Sequence, residues 1–153
     1  MKAFQEFIDK GLIRKEKIDF SQVVRVLAKA QRSAKSAKVL FADGDFEGSY
    51  QLAYEAMLLS GRALIFSHGF KPRAAGSHKI TIGFVEKVLG KEETILVFKF
   101  DKMRKNRHYL IYGAGLSISE TEAKNAISSA KEFVSEIEKL VQKKNPQKKL
   151  FQY

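Results

Sequence analysis

The residues best equipped for chemistry crowd into one short segment, Lys102-Met103-Arg104-Lys105-Asn106-Arg107-His108-Tyr109-Leu110-Ile111-Tyr112. Five of its eleven residues are Lys, Arg or His. Helical spacing puts Arg104, Arg107 or His108, and Ile111 or Tyr112 on adjoining faces. A guanidinium is a rigid planar fork that matches two oxygens of a phosphate. An imidazole beside it can give a proton or a hydrogen bond to a phosphate oxygen, and a tyrosine can stack or bond nearby. Arg104, Arg107, His108 and Tyr112 are therefore the candidate ligand-binding residues, with Arg107 and His108 the candidates for catalysis. The same composition also suits a solvated basic helix face, and both readings stand at this point.

Other chemistries find little support. The histidines are His68, His78 and His108. None stands four residues from another or in an H-E-x-x-H pattern, so no metal site and no cofactor is expected. Phosphate-loop and nucleophile-elbow patterns are absent. Gly113-Ala114-Gly115 is glycine-rich but follows a helical pattern, so it reads as a helix end and turn. His68 precedes Gly69 and reads as a helix C-terminal cap. His78 starts a helix after a glycine loop and reads as a partner in a structural hydrogen bond. Cysteine is absent, which excludes disulfides and thiolate metal sites.

The elements that must hold the basic segment follow from periodicity. Phe4, Phe7 and Ile8 mark a short first helix over 2–10, stopped at Gly11. Asp19 or Ser21 can cap a second helix. Its stripe is Val23, Leu27, Ala30, Ala34, Ala37 and Phe41, with Gly44 as its stop. Asp45 can start a third, with Tyr50, Ala53, Met57, Gly61 and Leu64 in line, ending at Gly69. The small residues on that helix suit a close neighbour, either as a central helix or as a dimer contact. Residues 70–79 read as a loop. The stretches around 79–89 and 94–100 fit either helix or strand, since KITIGFV alternates and TILVFKF is β-branched. Helix is the preferred assignment for both. Ser119 and Glu122 form a capping box for a last helix lined by Ala123, Ala126, Ala130, Phe133, Ile137 and Leu140. Lys143 and Lys144 close it, and Asn145-Pro146 stops it. The expected fold is all-α, an up-and-down four-helix bundle with one or two additional short helices.

Length and composition agree with one domain. The chain has 153 residues, 44% of them hydrophobic, enough apolar material for a single core. The expected division is a helical domain over 1–141 and a basic tail over 142–153. Net charge is +11, and removing Lys143, Lys144, Lys148 and Lys149 of the tail leaves +7 on the body. A basic body suits a polyanion, most often nucleic acid. It also suits a lysine-rich solubilising surface. The longest stretch free of Asp, Glu, Lys and Arg is 12 residues, His108–Ser119, too short to span a bilayer. The N-terminal MKAFQEFIDK has no apolar core of a signal peptide, so a cytoplasmic location without membrane contact is expected.

Three stretches together resemble the HEPN family, small helical domains of bacteria and archaea named for nucleotide binding. They are Ser49–Ala56 through Gly69-Phe70-Lys71-Pro72, then Gly76-Ser77-His78-Lys79, and Phe100–Tyr112 followed by the helix over 119–141. Their order and spacing over about residues 46–141 carry the likeness, more than any one of them. The resemblance implies a four- or five-helix bundle, usually a homodimer. It implies an RNA- or nucleotide-binding domain, as half of a toxin–antitoxin pair or beside a small nucleotidyltransferase. Many members are metal-independent ribonucleases whose motif is Arg, a polar residue, three or four more residues, then His, placed where two copies face one cleft. Here Arg107 takes the Arg place and His108 the polar place, but the position of the expected His holds Tyr112. Started from Arg104, His108 arrives one residue early. An active metal-independent ribonuclease is thus one alternative. Another, of a different class, is a structural dimer module whose basic helix meets an acidic protein.

Overall fold

The computed structural model describes residues 2–113 and 117–145. Six helices carry it: α1 Lys2–Asp9, α2 Phe20–Ala42, α3 Phe46–Ser67, α4 Ser77–Leu89, α5 Thr94–Ile111 and α6 Glu120–Lys144. A short 3₁₀ turn, Lys91–Glu93, leads into α5. The fold is an all-α bundle of long helices with α1 and α4 as the shorter additions. Among the described residues no helix is long and apolar enough to cross a membrane.

Local sequence sets the helix ends. Asp19 caps α2, its Oδ1 accepting from the backbone N–H of Ser21 at 3.0 Å and of Gln22 at 3.4 Å. Asp45 caps α3, accepting from Gly48 N–H at 2.8 Å. At α6 the Ser119 hydroxyl accepts from Glu122 N–H at 3.1 Å while the Glu122 carboxylate accepts from Ser119 N–H at 3.2 Å. Each cap satisfies donors that no intrahelical carbonyl can reach.

α3 is the axle of the bundle. It packs most extensively on α2, next on α6, and also on α4 and α5. Its buried residues run around the whole helix, from Ser49 and Tyr50 to Ile65 and Ser67. The small-residue stripe expected there lies inside the protomer: a Cβ built on Gly61 would come within 2.7 Å of Thr81 Cγ2 on α4. Residues 79–89 and 94–100 are helical. α4 buries Ile80, Thr81, Ile82, Phe84 and Val85, and α5 buries Leu96, Val97, Phe100 and Met103.

One expectation is corrected. Phe70–Pro72 is a strand, β2, and it pairs antiparallel with β1, Ile13–Lys15. The register sets Ile13 against Pro72, Arg14 against Lys71 and Lys15 against Phe70. A three-residue strand with one buried residue carries too few positions for a period of two to show. The ribbon is held by burying Ile13 and Phe70, and Phe70 meets Phe4 of α1 with ring centroids 5.6 Å apart.

Candidate functional site

The site is assembled on two tyrosines one turn apart on α3, both facing α5. Tyr50 and Tyr54 are buried. Asn106 Nδ2 donates to the Tyr50 hydroxyl at 3.0 Å. Arg107 lays its guanidinium over the Tyr54 ring, with Cζ 5.7 Å from the ring centroid. This cation–π contact orients Arg107 while leaving its N–H groups uncommitted to any carboxylate among the described residues.

A third helix completes the group. His78, in the first turn of α4, sits with Nδ1 2.8 Å from the Tyr54 hydroxyl, and the two rings stack at 5.8 Å and 29°. The structural hydrogen bond expected for His78 is present, and its partner faces the basic segment. Burial pushes the His78 imidazole below its ordinary range, and the charges of Arg107, Arg62 and Arg104 push it further the same way. His78 is therefore neutral at neutral pH. Burial lifts the Tyr54 phenol well above its ordinary range, against the pull of Arg107 and Arg104, so it stays protonated. From α3, Arg62 adds another cation, its Nη2 donating to Ser77 Oγ at 3.4 Å.

The four residues singled out in the sequence divide. Arg107 turns onto the Tyr54 ring, and the charges of Arg104 and Arg107 both act on Tyr54 and His78. Arg104 is partly neutralised: its Nε and Nη2 each lie 2.9 Å from Asp101 Oδ1. Partial burial raises the Asp101 carboxyl, but the hydrogen bond and charge of Arg104, joined by Lys105, outweigh it and hold the group below its ordinary range. His108 and Tyr112 stand away from this group, exposed, with ring centroids 4.7 Å apart. Gly113 has the positive φ, 69°, of a helix end, whereas Ala114 and Gly115 lie outside the described residues. His68 holds the C-cap of α3 by its backbone. Its ring does no capping and lies half-buried, edge-on to Phe4 and Phe84, 5.3 and 5.5 Å away.

Tyr54, His78 and Arg62 are the residues that inspection of the basic segment alone overlooks. The signal available for Tyr54 was its four-residue spacing from Tyr50, which sets both phenols on one face of α3. His78 had no such signal, since only the packing of α4 on α3 brings it there. No cluster of three or more His, Asp or Glu that could hold a metal occurs among the described residues.

The arrangement can bind an oxyanion. One oriented arginine, a second arginine and a neutral imidazole converge from α5, α3 and α4, with the phenol fixing the ring. Comparison with known families agrees in kind: the family model described as HEPN domain matches residues 23–140, which spans α2 to α6. No curated protein matches the chain.

Proposed function

Since the chain belongs to the HEPN family and shares its general nucleotide- or RNA-related function, we propose that it binds RNA or a nucleotide by a phosphate held between Arg107, Arg62 and His78. The observation that carries this reading is the seating of Arg107 on the Tyr54 ring, whose hydroxyl lies 2.8 Å from His78 Nδ1, with no carboxylate on the guanidinium among the described residues. A guanidinium held in place loses little freedom when it takes a bidentate phosphate. His108 then contributes from the exposed side of α5. Arg104 helps mainly through its charge, because Asp101 already occupies its N–H groups.

Metal-independent RNA cleavage is the second reading, and His78 favours it. It brings an imidazole to Arg107 from another helix, where the motif position on α5 holds Tyr112. In one tautomer of His78 the Tyr54 hydroxyl donates to Nδ1, and Nε2–H can donate to a phosphate oxygen. In the other, Nδ1–H donates to the hydroxyl, and Nε2 can take the proton of a ribose 2′-hydroxyl as it attacks phosphorus; the bond from phosphorus to the 5′-oxygen of the next nucleotide breaks, leaving a 2′,3′-cyclic phosphate, and that oxygen takes its proton from water. Either a toxin–antitoxin pair or a nucleotidyltransferase partnership is the proposed setting, with the chain acting as a homodimer.

The test is a binding titration of a short RNA against parent, Arg107→Ala, Arg107→Lys and Lys105→Ala. A charge-assisted phosphate contact contributes roughly 1.5–3 kcal/mol, so Arg107→Ala should weaken binding about tenfold or more. Arg107→Lys should recover only part. Lys105 is exposed and already paired with Asp101 at 3.4 Å, so its loss should cost under about 1 kcal/mol. Equal losses at Arg107 and Lys105 would mean a diffuse basic face and no site.

A further inference from the structure

Beyond Arg62 the protein opens into a cleft between the β1–β2 ribbon and the facing ends of α3 and α4. Its volume is about 740 Å³, within the range of ligand sites. Its lining brings four cations together, Arg14, Arg62, Lys71 and Arg73, with no acid among the described residues. Phe66, Pro72 and Ile13 give it an apolar floor. Ser77, the first residue of α4, stands on its wall, and α4 starts at Gly76 without a side-chain cap.

Two observations say that this charge is not there for stability. Arg14 and Lys71 are directly opposed in the ribbon, and like charges in that position destabilise a strand pair. The acids at hand do little to offset them. Among the described residues Arg14 pairs with Glu16 alone, at 3.8 Å with both side chains exposed. Arg73 uses its Nε on a backbone carbonyl, that of Ala75, at 3.0 Å. Lys71 has no ion pair among the described residues.

We infer that this cleft is a second phosphate subsite, which takes the backbone of a single-stranded polynucleotide continuing out of the Arg107 site. The inference rests on the phosphate-binding reading above and extends its footprint. Arg62 and Ser77 join the two places: both line the cleft, they are hydrogen-bonded to each other, and the charge of Arg62 acts on His78 and Tyr54. A groove with cations on its rim and an aromatic ring on its floor suits a single strand, whose phosphates follow the cations while a base stacks on the ring. A folded acidic protein would have use for the cations but not for the Phe66 floor.

The experiment compares two probes, uridine monophosphate and a labelled uridylate decamer, on the full chain. Lys71→Ala with Arg73→Ala removes two cleft cations whose side chains lie at the surface, and circular dichroism checks the helices. The double variant should bind the decamer at least tenfold more weakly and the mononucleotide as the parent does. Its slope of log affinity against log salt should be shallower by about 1.4, two contacts at roughly 0.7 each for a single strand. Phe66→Leu should weaken decamer binding at unchanged salt slope. Arg107→Ala should lower affinity for both probes. Decamer binding unchanged in the double variant but lost in Arg107→Ala overturns the cleft and leaves the first site standing. Failure of the parent to bind either probe overturns both. A thymidylate decamer bound equally through the cleft supports a phosphate-reading subsite indifferent to the sugar. Competition by polyglutamate as strong as by the decamer overturns the polynucleotide assignment.

Discussion

At the scale of single residues, burial separates the three histidines by role. His108 is exposed beside Tyr112, whereas His78 is poised and neutral against Tyr54. His68 lies among Phe4 and Phe84, its Nδ1 buried with no hydrogen-bond partner among the described residues. Burial, helped by the positive charges of Lys144 and the N-terminus, lowers the His68 imidazole to about 4. The unfolded chain protonates this residue near its ordinary value of about 6.5. Between pH 6.5 and about 4 the unfolded state therefore holds a proton that the folded state refuses. Stability is complete above pH 6.5 and is lost progressively as pH falls through that window. His78 acts in the same direction. His68→Phe keeps an aromatic ring in the cluster and removes the proton site. It should flatten the fall in melting temperature between pH 7 and pH 5, a range above the titration of most carboxylates. A variant that loses stability toward pH 5 as steeply as the parent would show that His68 is not the source.

Among the elements, the helices with a wet side stood out in the sequence, α4 was read as a helix against a competing strand pattern, and the β1–β2 ribbon was missed. The stripe of α2 and the capping box of α6 agree with the structure because each helix has a wet side against which its period stands out. α4 has contacts on more sides. Val85 and Thr81 meet α3 at Gly61, while Phe84 stacks on Phe4 of α1 at 4.5 Å. With Ile80, Ile82 and Phe84 all buried, the sequence alternates like a strand although the backbone is helical. The site followed the same rule. Arg107 could be picked from its own segment, but its companions Tyr54, Arg62 and His78 come from two other helices, and only packing brings them there. That packing depends on Gly61. Its close approach to Thr81 Cγ2 leaves no room for a methyl group, and Thr81 is pinned by its hydroxyl donating to Ser77 O at 2.8 Å. Alanine gains about 1 kcal/mol over glycine in helix propensity, but overpacking costs about 1–3 kcal/mol. We expect Gly61→Ala to lose about 1 kcal/mol net, lowering the melting temperature by roughly 2–4 °C. Adding Thr81→Ser removes the clashing methyl and should restore it. A Gly61→Ala protein that melts above the parent would show that α3 and α4 do not approach this closely.

For the whole molecule, the exposed side of α5 is where association is expected. Five of its large apolar side chains are exposed: Ile95, Phe98, Tyr109, Ile111 and Tyr112, with Ile95 and Tyr112 each at 73%. Ile95, Phe98, Tyr109 and Tyr112 fall on one side of the helix, opposite the buried Leu96, Val97, Phe100 and Met103. Lys102 and Lys105 occupy the turns between them, so a two-fold crossing centred on the middle of α5 would set lysine against lysine. A crossing at the C-terminal end avoids this. It covers Tyr109 and Tyr112, which share the exposed side of the helix. A stable dimer needs roughly 800 Å² per partner, so neighbouring surface must join these rings. Sedimentation equilibrium should therefore give a dimer mass at micromolar concentration. Tyr109→Glu with Tyr112→Glu should give a monomer of unchanged helicity, because both side chains already face water. Salt separates this association from ligand binding. Each chain carries +11, so added salt should relieve repulsion between protomers and favour association, while the same salt should weaken the proposed polynucleotide binding. A parent that stays monomeric at every salt concentration, or a double glutamate variant that stays dimeric, would place the contact elsewhere or remove it.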